Sequence, residues 1–172
     1  ISVAFGCSFE GHVPVERLIE IIKRYVTEGV KEISLADTTG MAQPKQVFDT
    51  LAILKAEFPE VNYSMHFHNT RGLALANTLA SLQQGITLYD SSIGGIGGCP
   101  YIPNATGNVA TEDLVNMLNE MGIETGIDLD QSIEVAKEVV DLINAQSNSY
   151  MIMAGPSSKL YDKPIGQKKI AD

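Results

Sequence analysis

Apolar positions along this chain switch between two periods: a short continuous run, then a stripe spaced three and four residues apart, with the unit recurring about every 25–30 residues. Strand-like runs begin near Ile1, Lys31, Val61 and Ile86, and a helical pattern follows each. In the first helical stretch Val15, Leu18, Ile19, Ile22 and Val26 share a face, Pro14 suits the first turn and Gly29 the exit. The second has Pro44 at its entry and Val47, Leu51, Leu54 and Phe58 on one side, stopping before Pro59. The third carries Leu75, Leu79 and Leu82 and closes at Gly85. Parallel strands covered by helices read as apolar runs, and Glu32-Ile33-Ser34-Leu35-Ala36-Asp37 fits one whose last residue emerges at the carboxyl end. The expected class is α/β, with four parallel strands and covering helices forming half of a (β/α)8 TIM barrel.

Beyond a glycine-rich stretch, Thr111 is placed to cap a helix with Leu114, Val115, Leu118 and Met121 on its apolar side, followed by Gly122. A further amphipathic segment from about Asp130 to Ala145 uses Ile133, Ala136, Val140 and Ile143. Residues 146–172 show no sustained period, and irregular structure is expected there. The division is then residues 1–122 for the partial barrel and 123–172 for a C-terminal helix and tail. The run at Ile1 reads as a buried strand with nothing ahead of it, which suggests a piece of a larger fold.

At 172 residues and 44% hydrophobic, the chain is long enough for one core and too short for two large domains. Twelve basic against 21 acidic residues, with no basic run, argue against nucleic acid or another polyanion as a partner. No apolar span approaches the roughly 18 residues a membrane helix needs. Cys7 and Cys99 are far apart and lack C-x-x-C spacing, so a reducing, cytoplasmic setting is the default.

The candidate chemistry gathers where strands end. In His66-Phe67-His68 the two imidazoles are two residues apart on a strand, so both point to one side and could grip a single cation; packing of two histidines is the alternative. Asp37, in Asp37-Thr38-Thr39-Gly40, is delivered to the same rim, either to act on a substrate or to cap its own turn. Cys99 sits in Gly94-Gly95-Ile96-Gly97-Gly98-Cys99-Pro100, where glycines permit a hinged loop and the thiol could move a proton; a small buried residue in a tight turn is the plainer reading. Cys7 reads as structural or substrate-lining, His12 as surface, and Arg71 as a structural ion-pair partner.

Three blocks in order carry a resemblance: His66 to Thr78 (HFHNTRGLALANT), Asp90 to Tyr101 (DSSIGGIGGCPY) and Gly107 to Leu114 (GNVATEDL). Together they closely resemble the hydroxymethylglutaryl-CoA lyase family of metal-dependent carbon–carbon lyases, from Ile1 to about residue 145. The resemblance implies strands five to eight of the barrel, and a divalent cation, Mg or Mn, held by His66, His68 and Asn108. It also implies Cys99 and Asp37 as catalytic residues, Thr38 in substrate binding, and Glu112 and Asn69 supporting the ligands. Asn108 and Glu112 each have a plainer reading, as a turn asparagine and a helix-cap carboxylate. The implied substrate is an acyl-CoA thioester cleaved to acetyl-CoA and a keto acid such as acetoacetate. The family's first strand supplies an aspartate ligand that no segment here matches. The chain alone is therefore expected to be inactive, to bind metal weakly, and to associate through open strand edges, either with itself or with the missing N-terminal half. A non-catalytic half-barrel, and a related acyltransferase or aldolase, are the competing expectations.

Overall fold

The computed structural model describes residues 1–98 and 100–162. A two-residue antiparallel hairpin comes first, β1 (Gly6–Cys7) with β2 (Gly11–His12). There follow α1 (Val15–Thr27), β3 (Glu32–Asp37), α2 (Pro44–Glu57), β4 (Asn62–Phe67), α3 (Ala74–Gln83) and β5 (Leu88–Asp90). A 3-10 turn (Ile93–Gly95), α4 (Thr111–Glu120), α5 (Leu129–Leu142) and α6 (Tyr150–Ala154) complete the order. Strands β3, β4 and β5 are parallel neighbours in that order, with Ala36 opposite His66 and His66 opposite Asp90.

The helix-facing side of this sheet is the core. Ile33 and Leu35 of β3 and Tyr63, Met65 and Phe67 of β4 are buried against Val47, Leu51 and Leu54 of α2. Burial of each large side chain is worth roughly 1.5–3 kcal/mol. Alternation then sends Ala36, His66 and His68 to the opposite side, as the two-residue spacing predicts. The stripes of α1 and α2 also lie where the sequence puts them, with Leu18, Ile22, Val47, Leu51 and Leu54 buried and Gly29 at φ +84° past the end of α1.

Four expectations are corrected. The run at Ile1 is not a regular ladder strand: Ile1 N donates to Ser34 O, Ala36 N to Ile1 O and Ala4 N to Ala36 O, so the segment follows β3 in parallel with one residue too many. The extra residue is Val3, at φ +50°, whose N–H turns to Thr38 Oγ1 at 3.0 Å. This is a bulge, and it ends the pairing early. In α3 the buried face is Ala74, Asn77, Thr78, Ala80 and Ser81, while Leu79 is exposed. Small polar residues succeed there because they satisfy themselves: Thr78 Oγ1 donates to Ala74 O, Ser81 Oγ to Thr78 O and Asn77 Nδ2 to Ala42 O. Thr111 does not cap α4. Its hydroxyl meets Ser91 Oγ at 2.9 Å, Ala110 holds the cap position, and Met121 lies outside the buried stripe.

The fourth correction concerns the tail. Residues 150–154 are helical, because Asp113 of α4 receives the start of α6: Oδ1 accepts from Ser149 Oγ (3.0 Å) and Met151 N (2.9 Å), and Oδ2 from Tyr150 N (3.0 Å). Ser149 in turn accepts from Ile152 N as the helix cap. Just ahead, Ser147 Oγ donates to Gly94 O at 2.7 Å and Asn148 Nδ2 to Thr106 O. One short segment thus ties down both stems of the glycine-rich loop. Among the described residues no helix is long and apolar enough to cross a membrane.

Candidate functional site at the carboxyl ends of the strands

At the end of β4 the chain runs beside the segment that enters α4. Asn69 N donates to Gly107 O (2.9 Å) and Val109 N to Phe67 O (3.0 Å), which makes His68 and Asn108 an antiparallel pair of the closely spaced kind, their side chains on one side. Ser92 pairs in parallel with Ala110 in the same way, so the segment is wedged between the ends of β4 and β5. Gly107 makes this possible. Its φ is +117°, and a Cβ there would stand 2.1 Å from Gly95 O.

Three donors gather on that side. The His66 and His68 rings have centroids 5.2 Å apart. His68 is buried and its Nδ1 has no partner; burial first, then the neighbouring His66, pushes its pKa below the ordinary imidazole value. The shift favours the neutral ring, in which one nitrogen carries a lone pair. Asn108 donates through Nδ2 to Ile96 O (2.9 Å) and Gly97 O (3.3 Å), which fixes the amide and leaves Oδ1 buried and unpartnered. Two imidazoles and an amide oxygen suit a divalent cation that accepts both nitrogen and oxygen. Among the described residues no group of three His, Cys, Asp or Glu is placed to hold a metal.

The other site residues fall elsewhere. Asp37 is opposite Phe67 in the ladder, on the helix-facing side of the sheet from the imidazoles. Its Oδ1 accepts from Met41 N (2.9 Å) and Ala42 N (3.1 Å), while Oδ2 is buried without a partner. Desolvation outweighs these bonds and nearby Arg71, and the carboxyl is raised to about 6. The parity it shares with Ile33 and Leu35 is the signal that could have placed it. Arg71 serves the same turn, donating to Thr39 O and Gly40 O rather than to a carboxylate. Thr38 accepts the Val3 N–H, and Asn69 Oδ1 accepts from Ala74 N at the start of α3. Glu112 is fully buried and anchors the loop, its Oε2 accepting from Gly94 N at 3.1 Å. Cys99 lies outside the described residues. Grooves of about 420 Å3 beside α5 and α6 and about 430 Å3 beside β5 and α4 are lined by other residues, away from the imidazoles.

The Asp37 pKa carries a pH dependence. Its folded value, about 6, is above the unfolded 3.8, so the stability it contributes is fully present below about 3.8 and is lost as pH rises through about 6. In Asp37→Asn that loss should vanish: relative to wild type, the urea midpoint of the variant should rise between pH 4 and 7. Parallel pH curves for the two proteins would remove desolvation of Asp37 from the account.

The HMGL-like family model matches residues 1–140. Hydroxymethylglutaryl-CoA lyase YngG of Bacillus subtilis is 47% identical over 137 residues, covering 80% of this chain and 46% of that protein. The cytoplasmic 3-hydroxy-3-methylglutaryl-CoA lyase of Rattus norvegicus is 41% identical over 160 residues, covering 93% of this chain and 47% of that protein. Relatives named mitochondrial match at similar identity. A solved structure of an HMG-CoA lyase from Acinetobacter baumannii, in complex with coenzyme A and 3-methylmalate, superposes with a TM-score of 0.88 at 42% identity, covering 95% of this chain and 53% of that one. The chain thus spans about half the length of the relatives it matches. The chain belongs to the HMGL-like family.

Proposed function

We propose that this chain carries the cation-holding part of a lyase that cleaves a 3-hydroxy-3-methylglutaryl-CoA-type thioester into acetyl-CoA and a keto acid such as acetoacetate. The observation behind it is the pair of buried, unpartnered atoms, His68 Nδ1 and Asn108 Oδ1, beside the His66 ring at the carboxyl end of a parallel sheet. An orphaned buried polar atom costs roughly 1–3 kcal/mol, and two side by side mark a place where a ligand belongs. His66, His68 and Asn108 would hold a Mg or Mn ion, which when bound would supply electrostatic stabilisation of negative charge developing on substrate oxygen.

The chain's own residues do the rest. Neutral His68 offers a lone pair without first losing a proton, and the carbonyls of Ile96 and Gly97 hold the Asn108 amide with its oxygen forward. Glu112 and Ser147 fix Gly94 from two directions, so the loop leading to Cys99 departs from a set stem. In this reading the Cys99 thiol moves the proton to or from carbon. Asp37 and Thr38 shape the neighbouring turn.

The strands correspond to five through eight of a (β/α)8 barrel, and the remaining strands belong to the rest of the relatives' length. That complement, or a second copy of this chain, would cover the open edge of β5. A cytoplasmic setting, the one the rat relative's name gives, belongs to this reading, although other relatives of similar identity are named mitochondrial. The test is an acyl-CoA cleavage assay with hydroxymethylglutaryl-CoA and Mn2+, with and without a polypeptide carrying the other half of a related lyase. Cleavage that requires both pieces and falls by about 10²–10⁴ in Cys99→Ala supports the reading. No cleavage by the combined pieces rejects it.

A further inference from the structure

We propose that Asp90 is a positioning residue for His66: its carboxylate accepts the Nδ1 proton of that imidazole, which leaves the Nε2 lone pair to face the side where His68 and Asn108 present their donors. The inference rests on the reading of His66 as a cation ligand and extends it to a residue outside the donor set. Asp90 ends β5 directly opposite His66 in the parallel ladder, so backbone hydrogen bonding holds the two on the same side of the sheet. Asp90 Oδ2 stands 3.9 Å from His66 Nδ1. That is longer than a hydrogen bond and within the reach of a small side-chain rotation. On the other flank of His66 the ladder places Ala36, which offers no acceptor.

The two imidazoles are therefore unequal. His68 Nδ1 is buried and unpartnered, whereas His66 Nδ1 faces a carboxylate whose side chain is 65% exposed and free to turn. Among the described residues the Asp90 carboxylate has no hydrogen bond to hold it elsewhere. A neutral imidazole carries one proton, and the nitrogen that keeps it cannot bind a metal. Free neutral imidazole side chains favour the proton on Nε2. An acceptor beside Nδ1 reverses that preference and orients the ring, which is the service carboxylates commonly give to ligating histidines.

Nitrogen-15 NMR of the histidine-labelled, metal-free full chain at about pH 9, above the ordinary imidazole range, reads the tautomer directly. His66 should carry its proton on Nδ1 in wild type and in Asp90→Asn, whose amide oxygen still accepts, and on Nε2 in Asp90→Ala. Mn2+ affinity should fall about 10–100-fold in Asp90→Ala and recover in Asp90→Asn. A wild-type His66 protonated on Nε2, or a tautomer unmoved by Asp90→Ala, overturns the proposal. So does an unmoved tautomer combined with loss of Mn2+ in Asp90→Asn, which would make Asp90 a direct ligand. A tautomer that follows Asp90 in a chain binding no Mn2+ upholds the pairing and instead defeats the cation reading.

Discussion

Gly107→Ala should destabilise the chain by on the order of 3–5 kcal/mol and release the segment that carries Asn108. The methyl would sit 2.1 Å from Gly95 O and 3.1 Å from Gly97 O, and both of these atoms are backbone, so no side chain can swing away. The φ of +117° adds a conformation that only glycine adopts without strain. Relief requires residues 95–97 and 107 to separate, which breaks the Asn108 contacts to Ile96 O and Gly97 O. Urea denaturation gives the loss in stability, and hydrogen exchange at Asn69 and Val109, whose amides bond across this junction, gives its location. A variant with the wild-type midpoint would mean that the close approach at Gly107 is not a feature of the folded protein.

Asp113→Ala should cost a comparable amount, roughly 3 kcal/mol or more, at the opposite side of the loop. The carboxylate is buried and accepts from three donors at the start of α6, and removal orphans a hydroxyl and two amides together. A five-residue helix cannot persist without that anchor. Release of α6 also frees Ser147 and Asn148, and with them the ties to Gly94 and Thr106. Amides 149–152 should lose exchange protection before the rest of the chain, with Asp113→Asn intermediate because one acceptor survives. Unchanged protection at 149–152 would contradict this role for Asp113.

What could be read from the sequence was whatever obeys a short-range period. The shared side of His66 and His68 follows from alternation along one strand, and the buried faces of α1 and α2 from large aliphatic residues at helical spacing. The face of α3 escaped because hydrophobicity marks burial only when buried groups are apolar, and Asn77, Thr78 and Ser81 satisfy their polar atoms locally. The bulge at Val3 escaped because it depends on Thr38, 35 residues away. Likewise, α6 depends on an aspartate 36 residues earlier, and no window across residues 146–160 contains it. Asp37 was legible in part: its arrival at the strand end was plain, whereas the parity with Ile33 and Leu35 that places it on the helix side was outweighed by the motif match, which put it with the imidazoles. Asn108 beside His68 required a pairing between segments 40 residues apart, which motif resemblance supplied and periodicity could not.

The claim at the centre of this account is that His66, His68 and Asn108 act together on one divalent cation. Titration of the full chain with Mn2+, followed by electron paramagnetic resonance, tests it most directly. One weak, saturable site should appear, and His66→Ala, His68→Ala and Asn108→Ala should each lower its affinity by at least about tenfold with the fold intact. Mn2+ binding that is absent, or that survives all three substitutions unchanged, would contradict the account.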